Sequence, residues 1–511
     1  MVHANRPGSP LNVLLAASEV VGFAKTGGLA DVAGSLPTAL ARRGHHCAVI
    51  LPLHRSARKA AVEPTEHTFE VPVLDRMVPG RLWRSSLPGG VPVYLIEQND
   101  YFDRDDPAVG RGIYQFMASD GTRKDYTDNC ERFVFFNRAV LEVMPRLDVW
   151  PDVLHANDWQ TGLLPVYLRE LYDRRSDGSA PYDRVRSLMT IHNMAFQGSF
   201  WHLDMPLAGL DWRLFTPEKV EFHNKLNFLK AGIVYADRIN TVSPTYAQEI
   251  QTPYYGCGLQ GVLYARRQRL SGIVNGVDYS AWDPKIDRHL AANYCPDDLA
   301  GKAECKRAIQ EEMGLEQDPA APLFGVVARL TDQKGVDLIG AVAPGLLDRG
   351  IQIAILGEGD RRYHQLFTVL AQRHPGRLGL KLGFSEPLAH RIEAGADLFL
   401  MPSAYEPSGL NQLYSLKYGT PPLVRATGGL ADTVVDATPP AMADGTATGF
   451  RFAAYSAAAL WQTSLRAEAM YRDDKEAWRQ LMRNGMTRDW SWDRSAAEYE
   501  RLYELMRDEQ R

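Results

Sequence analysis

Twelve short apolar runs, rich in β-branched residues, recur along the chain, and several of the intervals between them repeat apolar residues at helical spacing. In the first half the runs are NVLLAAS, HCAVILPL, VPVYLIEQ, DVLHAN, SLMTIHN and DRINTVS. In the second they are SGIVNGV, LFGVVARL, IQIAILGEG, LGLKLGF, DLFLMPS and PPLVRA. Each reads as a strand, and ERFVFFNRAVLEVM (131–144) reads as one of the intervening helices. Strands separated by helices of about 10–15 residues form βαβ units and parallel sheets. Twelve strands exceed one compact sheet, so the pattern predicts an α/β protein of two doubly wound domains. The break is placed in TPYYGCGLQGVLYARRQRL (252–270), where Gly and Tyr accumulate and periodicity fades. The expected domains are 1–260 and 271–488, followed by an amphipathic helix over 489–511 with Ala496, Tyr499, Tyr503 and Leu505 near one side.

Composition narrows the class. The 511 residues, 45% hydrophobic and 23% charged, suit a globular protein of more than one domain. A formal charge of −5 and the lack of a Lys/Arg run give no reason to expect nucleic acid or an anionic membrane as partner. Cys47, Cys130, Cys257, Cys295 and Cys305 are scattered without a C-x-x-C, which fits a reducing compartment better than a disulfide framework or a zinc site. LNVLLAASEVVGFA lacks a basic leader and carries Glu19, so it reads as a strand rather than a signal sequence. No apolar run reaches the roughly 18–20 residues of a membrane span. These features predict a soluble, cytoplasmic protein.

Six letters, TGGLAD, occur at 26–31 and again at 427–432, each time after an apolar run. Glycines there permit positive φ and close approach of a ligand to the backbone. The free N–H groups of a following helix, starting near Gly28, would favour an anion, and Lys25 would add a full charge. A plain turn with a solvated lysine accounts for the same letters. The dinucleotide fingerprint G-x-G-x-x-G is missing after the first strand, and the P-loop pattern is missing throughout.

Other candidate chemistry also lies at strand ends, where open α/β sheets bind ligands. VARLTDQKGVD (327–337) offers Arg329 and Lys334, a bidentate grip and a point charge suited to a leaving diphosphate, or else a solvated loop. MPSAYEPSGLNQLYSLKYG (401–419) offers Glu406 to sugar hydroxyls and the Gly409–Leu410 amides to a phosphate, with a helix expected from near Gly409. Glu406 could equally be an acid complementing that helix dipole. HANDWQTGL (155–163) and TIHNMAFQG (190–198) repeat the placement in the first half; no cluster has metal-ligand spacing.

KTGGLADVAGSLPTAL, HANDWQTGL, TIHNMAFQG, NGVD, ARLTDQKG and PSAYEPSGLNQLYSLKYGT…TGGLADTV stand in the order seen in bacterial glycogen synthases and plant starch synthases. The chain resembles that family from about Leu11 to the C-terminal helix. The resemblance implies a retaining glycosyltransferase of family 5 with the GT-B fold: two Rossmann-like domains facing a cleft, and a C-terminal helix packed back on the first. It further implies ADP-glucose as donor, the non-reducing end of an α-1,4-glucan (glycogen or a maltooligosaccharide) as acceptor, and no cofactor or metal.

By the same resemblance, Lys25, with Gly27, Gly28 and Asp31, binds the donor, and Arg329 and Lys334 grip its diphosphate. Glu406 contacts the glucosyl hydroxyls, His192 lines the sugar site, and Asp158 and Asn275 are further sugar-site positions; Ser408, Gly409 and Leu410 complete the substrate-binding set. Asn157 and Gln160 stand where many relatives have histidines, Ser408 where cysteine is frequent, and Tyr414 where more distant relatives carry a second acid. Alternatives are a related transferase using UDP-glucose or another acceptor, a glycoside hydrolase acting through Glu406 and Asp158, and a noncatalytic glucan-binding protein.

Overall fold

The computed structural model describes residues 9–104, 112–119, 122–148, 150–172 and 182–509. The outermost residues of the expected first domain and C-terminal helix, 1–8 and 510–511, lie outside these. The chain divides into two compact units: Met1–Val242, Ala247–Ile273 and Trp492–Arg511 form one, and Ser243–Tyr246 with Val274–Ser491 the other.

All six apolar runs of the first half become neighbours in the first unit's sheet. Its order is Leu270–Gly272, Arg238–Thr241, Arg186–Ile191, Val153–Asn157, Asn12–Ala16, His46–Pro52, Pro92–Glu97, Arg76–Ser86 and Glu63–Val73. The first seven pair in parallel and the last two antiparallel. Burial on both faces explains the near-continuous Val, Leu and Ile of the central strands. The antiparallel hairpin alternates exposed and buried positions, and its charged and proline residues hide it from a search for apolar runs.

SGIVNGV was expected among the strands of the second half, but Leu270–Gly272 extends the first sheet, Ile239 lying opposite Leu270. Pairing with the edge of Arg238–Thr241 keeps the chain in the first unit until Ile273. The second sheet consists of Leu378–Leu382, Gln352–Gly359, Leu323–Leu330, Leu398–Met401, Pro422–Arg425 and Phe450–Phe452, all parallel. Five of these six were legible as apolar runs; Phe450–Phe452, three residues long, was not.

The C-terminal helix Trp492–Asp508 belongs to the first unit and packs on Gly28–Arg42. Trp492, Ala496, Tyr499, Leu502, Tyr503 and Met506 join Leu29, Val32, Leu36 and Leu40 in one apolar cluster. Leu505, expected on this face, is exposed. Six residues beyond Tyr499, it points roughly 120° away around the helix at 100° per residue. Tyr503 OH meets His155 Nδ1 at 2.9 Å, and the other ring nitrogen meets Thr190 Oγ1 at 2.7 Å. Burial holds His155 neutral, its pKa lowered to about 3.

Candidate active site

Parallel strands bring their carboxyl ends to one edge, so residues far apart in sequence gather there. In the first unit this applies to the ends of Asn12–Ala16, Val153–Asn157 and Arg186–Ile191. Just beyond the first of these, Glu19 is almost fully buried and accepts from the Thr26 N–H, from Thr26 Oγ1 at 2.7 Å, from the Gly27 N–H at 3.3 Å and from Tyr114 OH at 2.7 Å. An acid buried inside an apolar run must find such donors. The Thr26 and Gly27 amides, which precede the helix whose first N–H groups were expected to face an anion, are therefore held by the protein's own carboxylate. Lys25 pairs with Asp31 at 2.6 Å on the solvent side of this loop.

Helix Gly28–Arg42 starts where expected, but Gly27 is extended (φ −157°) and a β-carbon there would meet open space. The second TGGLAD is built differently. Gly428 has φ +45°, and β-carbons on Gly428 and Gly429 would run into the carbonyl oxygens of Glu406 and Ser408. The Gly429 N–H donates to the Glu406 and Pro407 carbonyls at 3.1 Å. Gly27 leaves room beside a cation, whereas Gly428 and Gly429 press against the loop that carries the acid.

Asp158 follows Val153–Asn157 with φ +56° and ψ −178°, a region a non-glycine residue enters at a cost of about 1–3 kcal/mol. It is held there because its N–H donates to the Thr190 carbonyl at 2.9 Å and its carboxylate accepts from the His192 N–H at 2.7 Å. Burial drives the Asp158 carboxyl up to about 7, against backbone N–H groups of His192 and Asn193 that favour the charged form, while the Glu19 carboxylate adds to the rise.

His192 is held neutral by burial, its pKa lowered to about 3. Its Nε2 lies 2.9 Å from Asn157 Oδ1, and Asn157 Nδ2 donates to the carbonyls of Ala16 and His155. The Asn157 oxygen is thus an acceptor, which puts the His192 proton on Nε2 and leaves Nδ1 as the acceptor. Sequence reading left Asn157 without a role, whereas here it sets the tautomer of His192. Gln160 is buried, and its Oε1 has no hydrogen-bond partner among the described residues.

In the second unit, Leu323–Leu330 carries Arg329 one residue before its end, exposed and with no side-chain hydrogen bond or ion pair among the described residues. Lys334 lies one turn on and reaches Glu406 at 2.6 Å. Glu406 is 5% exposed and also accepts from Ser403 Oγ at 3.0 Å. Gly335, at φ +68°, lets the loop pass the Pro402 carbonyl, which a β-carbon would strike. The expected helix start near Gly409 is corrected: Gly409 has φ +71°, Leu410 caps, and the helix runs from Asn411 to Lys417. Left-handed backbone at Gly409 cannot continue a right-handed turn. Ser408 is buried, and its carbonyl and that of Gly409 accept from Gln412 Nε2. Tyr414 stacks on Trp282 at 3.8 Å. Asn275 is buried in this unit with Oδ1 lacking a hydrogen-bond partner among the described residues.

The predicted residues therefore form two sets, Lys25, Gly27, Gly28, Asp31, Asp158 and His192 in the first unit, and Asn275, Arg329, Lys334, Glu406, Ser408, Gly409 and Leu410 in the second. Glu19, Tyr114 and Asn157 were not among them. Among the described residues, no group of three or more His, Cys, Asp or Glu could hold a metal ion, and no helix is long and apolar enough to cross a membrane.

Comparison with known proteins agrees with this division. A family model described as the starch synthase catalytic domain matches residues 12–265, and one described as glycosyl transferases group 1 matches 310–481. The glycogen synthase of Anaeromyxobacter dehalogenans is 48% identical over 97% of this chain and 100% of its own, and that of Syntrophotalea carbinolica 47% over 96% and 98%. The catalytic domain of starch synthase IV from Arabidopsis thaliana, solved with ADP and acarbose bound, superposes with a TM-score of 0.87 at 31% identity, covering 98% of this chain and 100% of that one. A sucrose-phosphate synthase from Thermosynechococcus elongatus shares the fold alone, with a TM-score of 0.57 at 17% identity. With two Rossmann-like α/β units of the GT-B type and relatives this similar over nearly their whole length, the chain belongs to the glycogen synthase and starch synthase family of glycosyltransferases.

Proposed function

We propose that the protein transfers glucose from ADP-glucose to the non-reducing end of an α-1,4-glucan, with retention of configuration and release of ADP. The observation that carries the reading is the Arg329, Lys334 and Glu406 group: two cations and a buried acid at the carboxyl ends of the paired strands Leu323–Leu330 and Leu398–Met401. In the absence of substrate, Lys334 neutralises Glu406. A diphosphate entering beside Arg329 competes for the Lys334 ammonium and frees the acid to accept sugar hydroxyls. As the glucosyl–phosphate bond breaks through an oxocarbenium-like transition state, negative charge grows on the departing ADP. Arg329 and Lys334 then stabilise it more than they stabilised the bound donor.

The acceptor 4-hydroxyl attacks from the face the phosphate leaves, and the phosphate oxygen takes its proton. No protein nucleophile is required. Asp158 and His192 line the sugar side: a carboxyl titrating near 7 and a neutral ring offering Nδ1 suit hydroxyl recognition. Lys25 contributes to holding the donor, exchanging Asp31 for phosphate. The chemistry needs no bound cofactor.

A donor panel tests this reading. ADP-, UDP- and GDP-glucose are each incubated with glycogen, with a tube lacking donor, and incorporated glucose is scored. Incorporation with ADP-glucose well above the others is expected. Preference for UDP-glucose would replace the donor assignment, and sugar released without any donor would point to a hydrolase.

A further inference from the structure

Gln412 is fully buried in the first turn of helix Asn411–Lys417. Its Nε2 donates to the Ser408 carbonyl at 3.0 Å and to the Gly409 carbonyl at 3.1 Å, and lies 3.3 Å from Thr433 Oγ1. Two carbonyls this close fix which way the amide points, because its oxygen would repel them. That oxygen, Oε1, is buried without a hydrogen-bond partner among the described residues. An unpaired buried acceptor is costly, so filling space does not by itself account for a glutamine here. The consequence lies on the other side of the two peptides. No peptide among the described residues is cis, and in a trans peptide the N–H points opposite to the carbonyl. With the Ser408 and Gly409 carbonyls drawn towards Gln412, the Gly409 and Leu410 N–H groups are turned away from it, and among the described residues no acceptor takes either one.

We propose that Gln412 is a positioning residue for glucosyl transfer: by drawing in two carbonyls, it aims the Gly409 and Leu410 amides at the phosphate that departs. The proposal rests on the transferase reading above and deepens it with a side chain that acts through the backbone. Gly409 is left-handed at φ +71° and Leu410 right-handed at φ −119° and ψ −34°, an alternation that makes successive N–H groups converge on an anion. A β-carbon on Gly409 would stand 2.4 Å from Gln412 Oε1, so the close seat of the amide requires glycine as much as the dihedral does. Asn411 Nδ2 donates to the Val327 carbonyl at 2.7 Å, two residues before Arg329, which anchors the two amides to the strand that carries this cation. Charge grows on the phosphate as it leaves, so aimed amides stabilise the transition state more than the bound donor. An apolar side chain of equal volume would leave both carbonyls free to rotate and the amides without a fixed direction.

Gln412→Met keeps the volume and removes the donor, and Gln412→Glu keeps the shape and turns the donor into an acceptor. Each should lower kcat roughly 10- to 100-fold while KM for ADP-glucose stays within about threefold. Inhibition by ADP should weaken about tenfold, because ADP carries on its terminal phosphate the charge that the donor lacks. An inhibition constant does not depend on how much of a sample is folded. A merely structural glutamine would therefore lower kcat and leave ADP inhibition as in the wild type, and that result overturns the proposal. Wild-type kcat in both variants overturns it too. Deuterium exchange of the wild-type protein decides the matter even if neither variant folds: ADP should slow uptake at Gly409 and Leu410, and unchanged uptake refutes the aim. If the wild-type protein transfers glucose from no donor, the transferase reading fails, while protection of these two amides by ADP would still support their aim.

Discussion

Lys334 and Glu406 neutralise each other across 2.6 Å, and under the proposed mechanism each exchanges its partner when substrate arrives. On that mechanism, removing the lysine deletes a contact that strengthens as ADP departs, and it leaves the buried acid without its cation. Lys334→Ala should therefore lower kcat by roughly two to three decades, about 3–4 kcal/mol, measured as ADP release; wild-type turnover would remove Lys334 from the chemistry. Glu19 acts one step back, as a positioning residue whose carboxylate holds four donors of the Lys25 loop and its neighbour Tyr114. Glu19→Gln cannot accept on both oxygens, so the loop loosens. The half-saturation for ADP-glucose should rise several-fold more than kcat falls, and an equal fall in both would count against positioning. The sequence contained a signal for Glu19, since an acid inside AASEVVGFA must be paired once that run becomes buried. It held no such signal for Asn157, whose partner His192 is set by the neighbouring strand.

At the scale of elements, the two TGGLAD turns make a controlled comparison. Gly428→Ala places a methyl group against the Glu406 carbonyl and should displace the loop carrying that acid. Overpacking of this kind costs about 1–3 kcal/mol, readable as a lowered urea midpoint together with lost activity. Gly27→Ala meets open space at extended φ and should leave stability within about 0.5 kcal/mol. Equal destabilisation by the two would contradict the asymmetry. Letter for letter the turns are identical, and nothing local could distinguish them, because the partner of the second lies about twenty residues upstream. Strands were legible for the opposite reason. Val, Leu and Ile in runs buried on both faces announce themselves without reference to neighbours, whereas the Glu63–Val73 and Arg76–Ser86 hairpin is defined by its pairing and carries only a faint alternation.

For the molecule as a whole, protons bear on the two units unequally. The first unit buries His54 and His155 and half-buries His192, with pKa values lowered to about 3, in each case chiefly by desolvation. Below pH 6.5 the unfolded chain takes up protons at these rings that the folded chain refuses, so their contribution is complete above 6.5 and declines as pH falls towards 3. Asp158 works in the other direction: raised to about 7, it binds a proton in the folded state that the unfolded chain releases above about 4, an offset of roughly one of the three. Stability of this unit should thus fall by about 1–3 kcal/mol per pH unit near pH 5. Urea melts at pH 7, 6 and 5 check this, and a constant midpoint would refute it.

Deleting 492–511 should uncover Leu29, Val32, Leu36 and Leu40 and lower or abolish the melting transition of the first unit while that of the second persists. A single unchanged transition in calorimetry would refute this independence. The same arrangement has a consequence for biosynthesis. Because the first unit is closed by a helix translated after the whole of the second, it waits with an open apolar groove while more than two hundred intervening residues are made. The second unit has no such delay. Nascent chains should accordingly acquire protease resistance in the later-made unit first, and chaperones that shield apolar grooves should be drawn to the amino-terminal part.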